Sequence, residues 1–258
     1  MSESMLTFFR YAAKVWYRDF LVWSRYWWTS LIGAIGEPVL YFLAIGYGLG
    51  SFIESIDGMS YIRFLAPALI CSSVMHSASF ETTYSSFTRM ERQKTYHSIA
   101  ATPVNIHEVI AGEILWGAAK SLISGGIMFL AVAFLGYIES WQALWLIPVL
   151  MITGLLFSAL GMLMTSFAKD YDFFTYYFTL VLEPMFLFSG TFFPLSKLPE
   201  WVQNLAWILP LYHPVVIARS LFYGSANGHL FWSLLWLIVV TLLLSWWSIK
   251  RMTKRLLV

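Results

Sequence analysis

The sequence is short of charge and almost empty of cysteine. Of its 258 residues only 12% are charged, 14 acidic and 16 basic, and the one cysteine is Cys71. A soluble domain carries about 25% charged residues, so this chain has too little charge to coat a globule in water. That shortage argues against a soluble enzyme, a disordered chain and a nucleic-acid binder. One cysteine leaves no disulfide framework and no cysteine-built metal cluster. No GxxxxGK[ST] run is present to cradle nucleotide phosphates, and no HExxH pair to hold zinc. His76, His97, His107, His213 and His229 are scattered and read as structural residues. Ser72-Ser73 and Ser85-Ser86 have no positioned base, so nucleophilic catalysis has no support. The chain reads as a non-enzyme that binds no cofactor or metal of its own.

What is abundant is apolar surface: 59% hydrophobic residues, 19% aromatic and a mean hydropathy of +0.68. A bilayer-crossing helix needs roughly 20 mostly apolar residues. Six stretches qualify, at about 28–49, 61–84, 109–137, 144–167, 173–193 and 230–249. The expected fold is therefore an all-α integral membrane protein of six transmembrane helices, filling residues 27–258. Residues 1–26 lack the apolar core and cleavage site of a signal peptide. They place Arg10, Lys14 and Arg18 on one helical stripe opposite apolar positions, as in a helix lying in the cytoplasmic membrane interface. A helix packed on another protein is the alternative.

The basic residues orient the spans. One side collects Arg10, Lys14, Arg18, Arg25, Arg89, Arg92, Lys94, Lys169, Lys250, Arg251, Lys254 and Arg255, and the other only Arg63, Lys197 and Arg219. The positive-inside rule then puts both termini in the cytoplasm. Two inter-span segments stand out. The inner one, about 85–108, is expected to hold a helical stretch over 89–101, a break at Thr102-Pro103 and a new helix capped near Asn105. It is either a docking surface for a soluble partner or an ordinary solvated loop. The outer one, about 189–228, is too apolar for a free loop and is cut by Pro194, Pro199, Pro210 and Pro214. Non-helical backbone at membrane depth must be buried or face a cavity, which suggests re-entrant helices over about 194–224.

Five ionisable residues fall inside spans: Glu37, Glu81, Glu113, Lys120 and Glu183. Such groups are costly in hydrocarbon and face protein or water. Glu113 and Lys120, seven apart, share a helix face but are too distant to pair, and near the inner end they can snorkel. Glu37 and Glu183 each precede a proline, where a helix kinks and frees a carbonyl. They serve either to pack against freed backbone or to touch a substrate or proton.

The stretch Ser189-Gly190-Thr191-Phe192-Phe193-Pro194, with Leu198-Pro199 and Trp201, followed by Pro210, His213, Pro214, Arg219 and Gly224, resembles the ABC-2 type exporter permeases, as does the inner segment 96–113. Within that family the chain most resembles the NodJ-like branch, associated with lipo-oligosaccharide export. The resemblance implies an ABC-2 exporter fold in the bacterial inner membrane. It implies a homodimer served by two copies of a separate ATPase that binds ATP and Mg. The inner helix would be a coupling helix with Arg89, Glu91, Arg92, Lys94, Tyr96 and Ile99, and residues 1–26 an interfacial connecting helix. Pro194, Pro199, Trp201, Pro210, His213, Pro214 and Arg219 would belong to an outer re-entrant gate. Rings stack on sugar faces and acyl chains, so Tyr41, Phe42, Tyr47, Tyr176, Tyr177, Phe186 and Phe188 are candidates to line a path for an amphipathic glycan or lipid. Trp27, Trp28 and Phe192 are further candidates. The same aromatics also fit lipid belts and core packing. A small-molecule exporter with the same machinery, or an intramembrane lipid-modifying enzyme using Glu37 or Glu183, are the other readings.

Overall fold

Apolar segments in hydrocarbon must satisfy their backbone hydrogen bonds internally, and this chain does so with helices. The computed structural model describes residues 2–53, 55–56, 58–138, 140–224 and 229–257. The side chains at 2–4, 31, 33–35, 37 and 229 lie outside that description. Among the described residues the one extended feature is the isolated bridge between Ile56 and Met59.

Among the described residues eleven α-helices follow in order. Helix α1 (Ser2–Trp23) is joined by a short bend to α2 (Trp27–Leu43), which widens into a π turn at Ala44–Gly48. Helix α3 (Tyr61–Phe80) runs on through π turns at Glu81–Ser85 and Thr88–Arg92. The short α4 (Thr95–Ala100) precedes the long α5 (Ile106–Phe134) and α6 (Leu146–Thr165). Then come α7 (Asp172–Tyr177) and α8 (Glu183–Phe186), joined by a π turn at Phe178–Leu182. The chain finishes with α9 (Glu200–Ile208), α10 (Tyr212–Tyr223) and α11 (His229–Leu257).

Among the described residues three segments are long and apolar enough to cross a membrane: Ile106–Phe134, Trp141–Thr165 and Leu230–Leu257. Helices α9 and α10, bent by 94° at Leu209-Pro210-Leu211, would make a fourth if counted as one span. The first, second and fifth expected spans are helical as well, but each is a composite of α and π turns.

Helix α5 sits at the centre, with α1, α3 and α6 packed along it and α11 along α6. The larger core joins α3, α5, α6, α10 and α11 around Leu65, Ile70, Met128, Phe157 and Phe222. A second core gathers Val15, Phe87, Met90, Tyr96, Ile110, Phe174 and Met252. Helix α1 contributes Ala12, Val15 and Asp19 to its buried face, while Arg10 and Lys14 stay exposed. It lies so close to α5 that a Cβ on Gly112 would stand 2.6 Å from Val15 Cβ and 2.7 Å from the Ala12 carbonyl.

Asn105 caps α5 as expected: its backbone N–H donates to Glu108 Oε2 at 2.7 Å, half of a capping box. The expected helix over 89–101 is corrected. Residues up to Arg92 belong to the continuation of α3. Lys94 then adopts a left-handed conformation (φ 52°), which ends one helix before α4 begins.

Candidate functional site

Glu113, Trp116 and Lys120 recur along α5 at three- and four-residue spacings and therefore share one face. That face meets Glu81, Ser86 and Arg89 in the turns that continue α3 at its C-terminal end. Arg89 lays its guanidinium on Glu113, with Nη2 donating to Oε2 at 2.5 Å and Nε to both oxygens at 3.1 Å. Its Nη1 reaches Glu81 Oε1 at 2.8 Å. Trp116 Nε1 donates to the same Glu81 oxygen at 3.0 Å, and Lys120 Nζ to the other at 2.5 Å. Ser86 completes Glu113 with a donation at 2.8 Å. Glu81 and Glu113 are 2% and 0% exposed, so the carboxylates are held by cations and donors rather than by water. Two carboxylates against two cations leave this cluster neutral.

The sequence-based expectation that these groups snorkel singly is thus corrected. They converge on one another. Arg89 is not an outward-facing residue of the inner loop but the centre of the cluster, and Tyr96 is buried too. Asp19 of α1 lies against the same cluster. Its Oδ1 accepts from Arg18 at 2.7 Å, yet Oδ2 is buried with no partner. Burial pushes this carboxyl up from 3.8 to about 8, with the Glu113 charge adding to the rise. Arg89 and the one-third-exposed Arg18 work against it, and Glu81 adds a smaller push.

Lys120 also forms part of the wall of a cavity of about 730 Å³. Its polar wall comes from Ser72, Ser73, His76 and Ser77 of α3, Ser124 of α5 and Glu183 of α8. Its apolar wall includes Trp23, Tyr41, Phe80, Phe178 and Phe186. His76 Nδ1 donates to the Ser72 carbonyl at 3.0 Å, which leaves Nε2 facing Glu183 Oε1 at 3.6 Å.

Among the expected lining aromatics, Tyr41 and Phe186 reach this cavity. Phe192 packs edge-on against Phe186. Phe42 and Tyr177 lie in the core instead, Phe42 against Tyr137 and Tyr177 with its hydroxyl 3.3 Å from Ser79 Oγ. Tyr47 hydrogen-bonds the Tyr137 hydroxyl at 2.8 Å. Tyr176, Phe188, Trp27 and Trp28 face outward. The Glu37 side chain lies outside the described residues.

At the tip between the α3 continuation and α4, Arg92 and Lys94 are exposed, and Ile99 is half-buried against the smaller core. Glu91 is tied by Lys94 at 3.3 Å and by Arg255 of α11 at 3.2 Å. At the opposite end Arg219 lies 3.8 Å over the Phe64 ring and donates to the Gly190 carbonyl at 2.5 Å. His213 stacks on Trp236 at 4.1 Å and donates from Nε2 to the Trp207 carbonyl. Pro194 and Pro199 flank the short turn before α9, Pro210 occupies the 94° bend and Pro214 the first turn of α10. Trp201 is 70% exposed.

Sequence reasoning missed Asp19, Ser86, Trp116, His76 and the serine wall as site residues. The available signal was Ser72, Ser73, His76 and Ser77, which cluster on α3 within two helical turns of apolar sequence.

Comparison with known proteins identifies the family. The family model described as ABC-2 type transporter matches residues 13–223. Nodulation protein J of Rhizobium meliloti is 38% identical over 215 residues, covering 83% of this chain and 82% of that protein. Nodulation protein J of Azorhizobium caulinodans is 30% identical, with 86% of each chain covered. The inner membrane transport permease YadH of Escherichia coli is 31% identical over 92% of this chain and 94% of its own. With its helices and buried charges built for a bilayer, the chain belongs to the ABC-2 type transporter family, as a multi-pass membrane permease.

Proposed function

We propose that this chain is the membrane half of an ATP-driven exporter in the inner membrane of a bacterium. It crosses the bilayer six times with both ends in the cytoplasm, works as a homodimer and is energised by two copies of a separate ATPase. Helices α9 and α10 form a re-entrant lid on the outer side. The cargo is an amphiphile of the lipo-oligosaccharide or polysaccharide kind. Glu37 belongs to the pathway of this reading, alongside Glu183.

One observation carries the reading. The exposed Arg92 and Lys94 at the inner tip are only a few residues from Arg89, and Arg89 is bonded through Glu81 to Lys120 in the cavity wall. A push on the tip is therefore delivered to the cavity through short ionic contacts, with no need for the chain to bind nucleotide. An engine outside the membrane suits that layout, and the cavity's mixed polar and aromatic wall suits an amphiphile.

The test is the double charge reversal Arg92→Glu with Lys94→Glu. It is expected to abolish co-purification of the ATPase, or its stimulation by cargo, while the permease keeps its thermal stability. A variant that still assembles and is stimulated as before removes the inner tip as the docking point.

A further inference from the structure

Helix α11 is the least enclosed of the three long apolar segments. Only 17% of its apolar stretch is buried, against 39% in Ile106–Phe134 and 67% in Trp141–Thr165. Its outward face is a ridge of Leu235, Val239, Leu242, Leu243, Trp246 and Trp247, all exposed and spaced three or four residues apart. A ridge of this kind asks for hydrocarbon, and the paired tryptophans mark where hydrocarbon gives way to headgroups. One turn further on the same face stand Lys250, Arg251 and Lys254, all exposed. At 1.5 Å per residue they lie roughly 5–12 Å beyond the tryptophans, at the depth of the headgroup layer and its outer edge. Helical side chains lean toward the N-terminus, which in α11 is back toward the bilayer. Lys250 shows it, with Nζ 5.0 Å over the Trp246 ring. Arg251 lays its guanidinium 4.8 Å over Phe167, just past the end of α6. Neither ring supplies an anion. Among the described residues none of the three forms an ion pair, whereas Arg255, next along, takes Glu91 and the Thr165 carbonyl. Asp170, close to Phe167 in sequence, accepts from the Phe173 N–H at 3.1 Å instead.

We propose that Lys250, Arg251 and Lys254 bind the phosphate head of an anionic phospholipid whose acyl chains lie along the ridge of α11. Charge complementarity and the unbroken run from apolar ridge to cations favour a lipid over a protein. A second copy docked on this face about a two-fold axis would set these cations against the same cations, with no carboxylate between them. A zwitterionic lipid presents its phosphate together with an ammonium, which gives back much of the attraction. Because Arg255 directly follows Lys254, the bound lipid sits beside the contact that ties α11 to Glu91. The site requires only a membrane-spanning chain, so it stands or falls separately from the exporter reading.

Binding is read by native mass spectrometry of the full chain in detergent, titrated with phosphatidylglycerol or with phosphatidylcholine. The first phosphatidylglycerol is expected to bind roughly tenfold more tightly than the first phosphatidylcholine. Lys250→Gln with Lys254→Gln spares the Arg251–Phe167 contact. It is expected to weaken that first binding roughly fivefold for each cation removed, with thermal unfolding in lipid-free detergent unchanged. Arg10→Gln with Lys14→Gln, which removes exposed cations of α1, is expected to leave it intact. Equal binding of the two lipids overturns the site, as does undiminished binding by the α11 variant. An equal loss in the α1 variant overturns it in favour of a diffuse charge effect. Inorganic phosphate that displaces the lipid at the same concentration overturns the lipid as the source of the anion. The two-lipid comparison needs no substitution, so a poorly folding variant does not remove the test.

Discussion

Lys120 bonds the Glu81 carboxylate at 2.5 Å while its own side chain forms part of the cavity wall. One ammonium is therefore shared between a buried ionic cluster and a space open to ligand. Its removal and the removal of Arg89 have different consequences, because only Arg89 touches both carboxylates.

Arg89→Met leaves Glu113 fully buried with no cation in contact, and Glu81 with Lys120 alone. Breaking a buried pair from one side costs about 3–5 kcal/mol, so the midpoint of thermal unfolding in detergent drops by many degrees. Adding Glu113→Gln removes the stranded charge and restores part of the loss. A single variant as stable as the unaltered protein shows that the cluster carries no such weight.

Asp19 makes stability depend on pH. Its carboxyl titrates at about 8 in the folded protein and near 3.8 when exposed. Between those values the folded chain holds a proton that the unfolded chain has released, so stability falls as pH rises through that window. Thermal unfolding followed from pH 5 to pH 9 is expected to show that decline, on top of whatever other groups contribute. Asp19→Asn, which keeps the shape and cannot ionise, flattens it. An identical slope in the variant assigns the dependence elsewhere.

Much of the architecture was legible in the sequence because hydrophobic run length and proline placement are local. The runs at 109–137, 144–167 and 230–249 correspond to α5, α6 and α11, the Asn105 cap is where the capping pattern puts it, and the prolines mark the turn before α9 and the bend before α10. The ionic cluster was not legible. At 3.6 residues per turn, Glu81 and Arg89 lie about 80° apart around a helix. The π turn at Glu81–Ser85 adds a residue and swings Arg89 back over Glu81. No composition signal announces a π turn, so Arg89 read as a loop residue and its partners as isolated acids. The lining aromatics divided for a similar reason. Tyr41 and Phe42 are adjacent, and only the helix rotation decides which one faces the cavity.

Gly190 has φ +78°, and a Cβ there would stand 3.2 Å from the Leu195 side chain. Arg219 holds that turn by its carbonyl while lying on Phe64. Gly190→Ala is expected to cost about 1 kcal/mol or more. Arg219→Lys removes the flat contact that an ammonium does not replace. Both should raise protease cleavage within 189–211 in membrane vesicles, with cleavage around Arg92 unaffected. Unchanged cleavage in both variants shows that the turn is held by something else.

The wide turns of α3 at Glu81–Ser85 and Thr88–Arg92 carry backbone in reserve. Each winds one residue more into its loop than an ordinary helical turn does. Tightening the first would spin everything beyond it by about 100°, one residue's worth of helical rotation, without unwinding a span. Arg89 would then sweep off Glu113 and Glu81 together. The continuation of α3 is thus wound like a spring with a catch, and the catch is the pair of carboxylates.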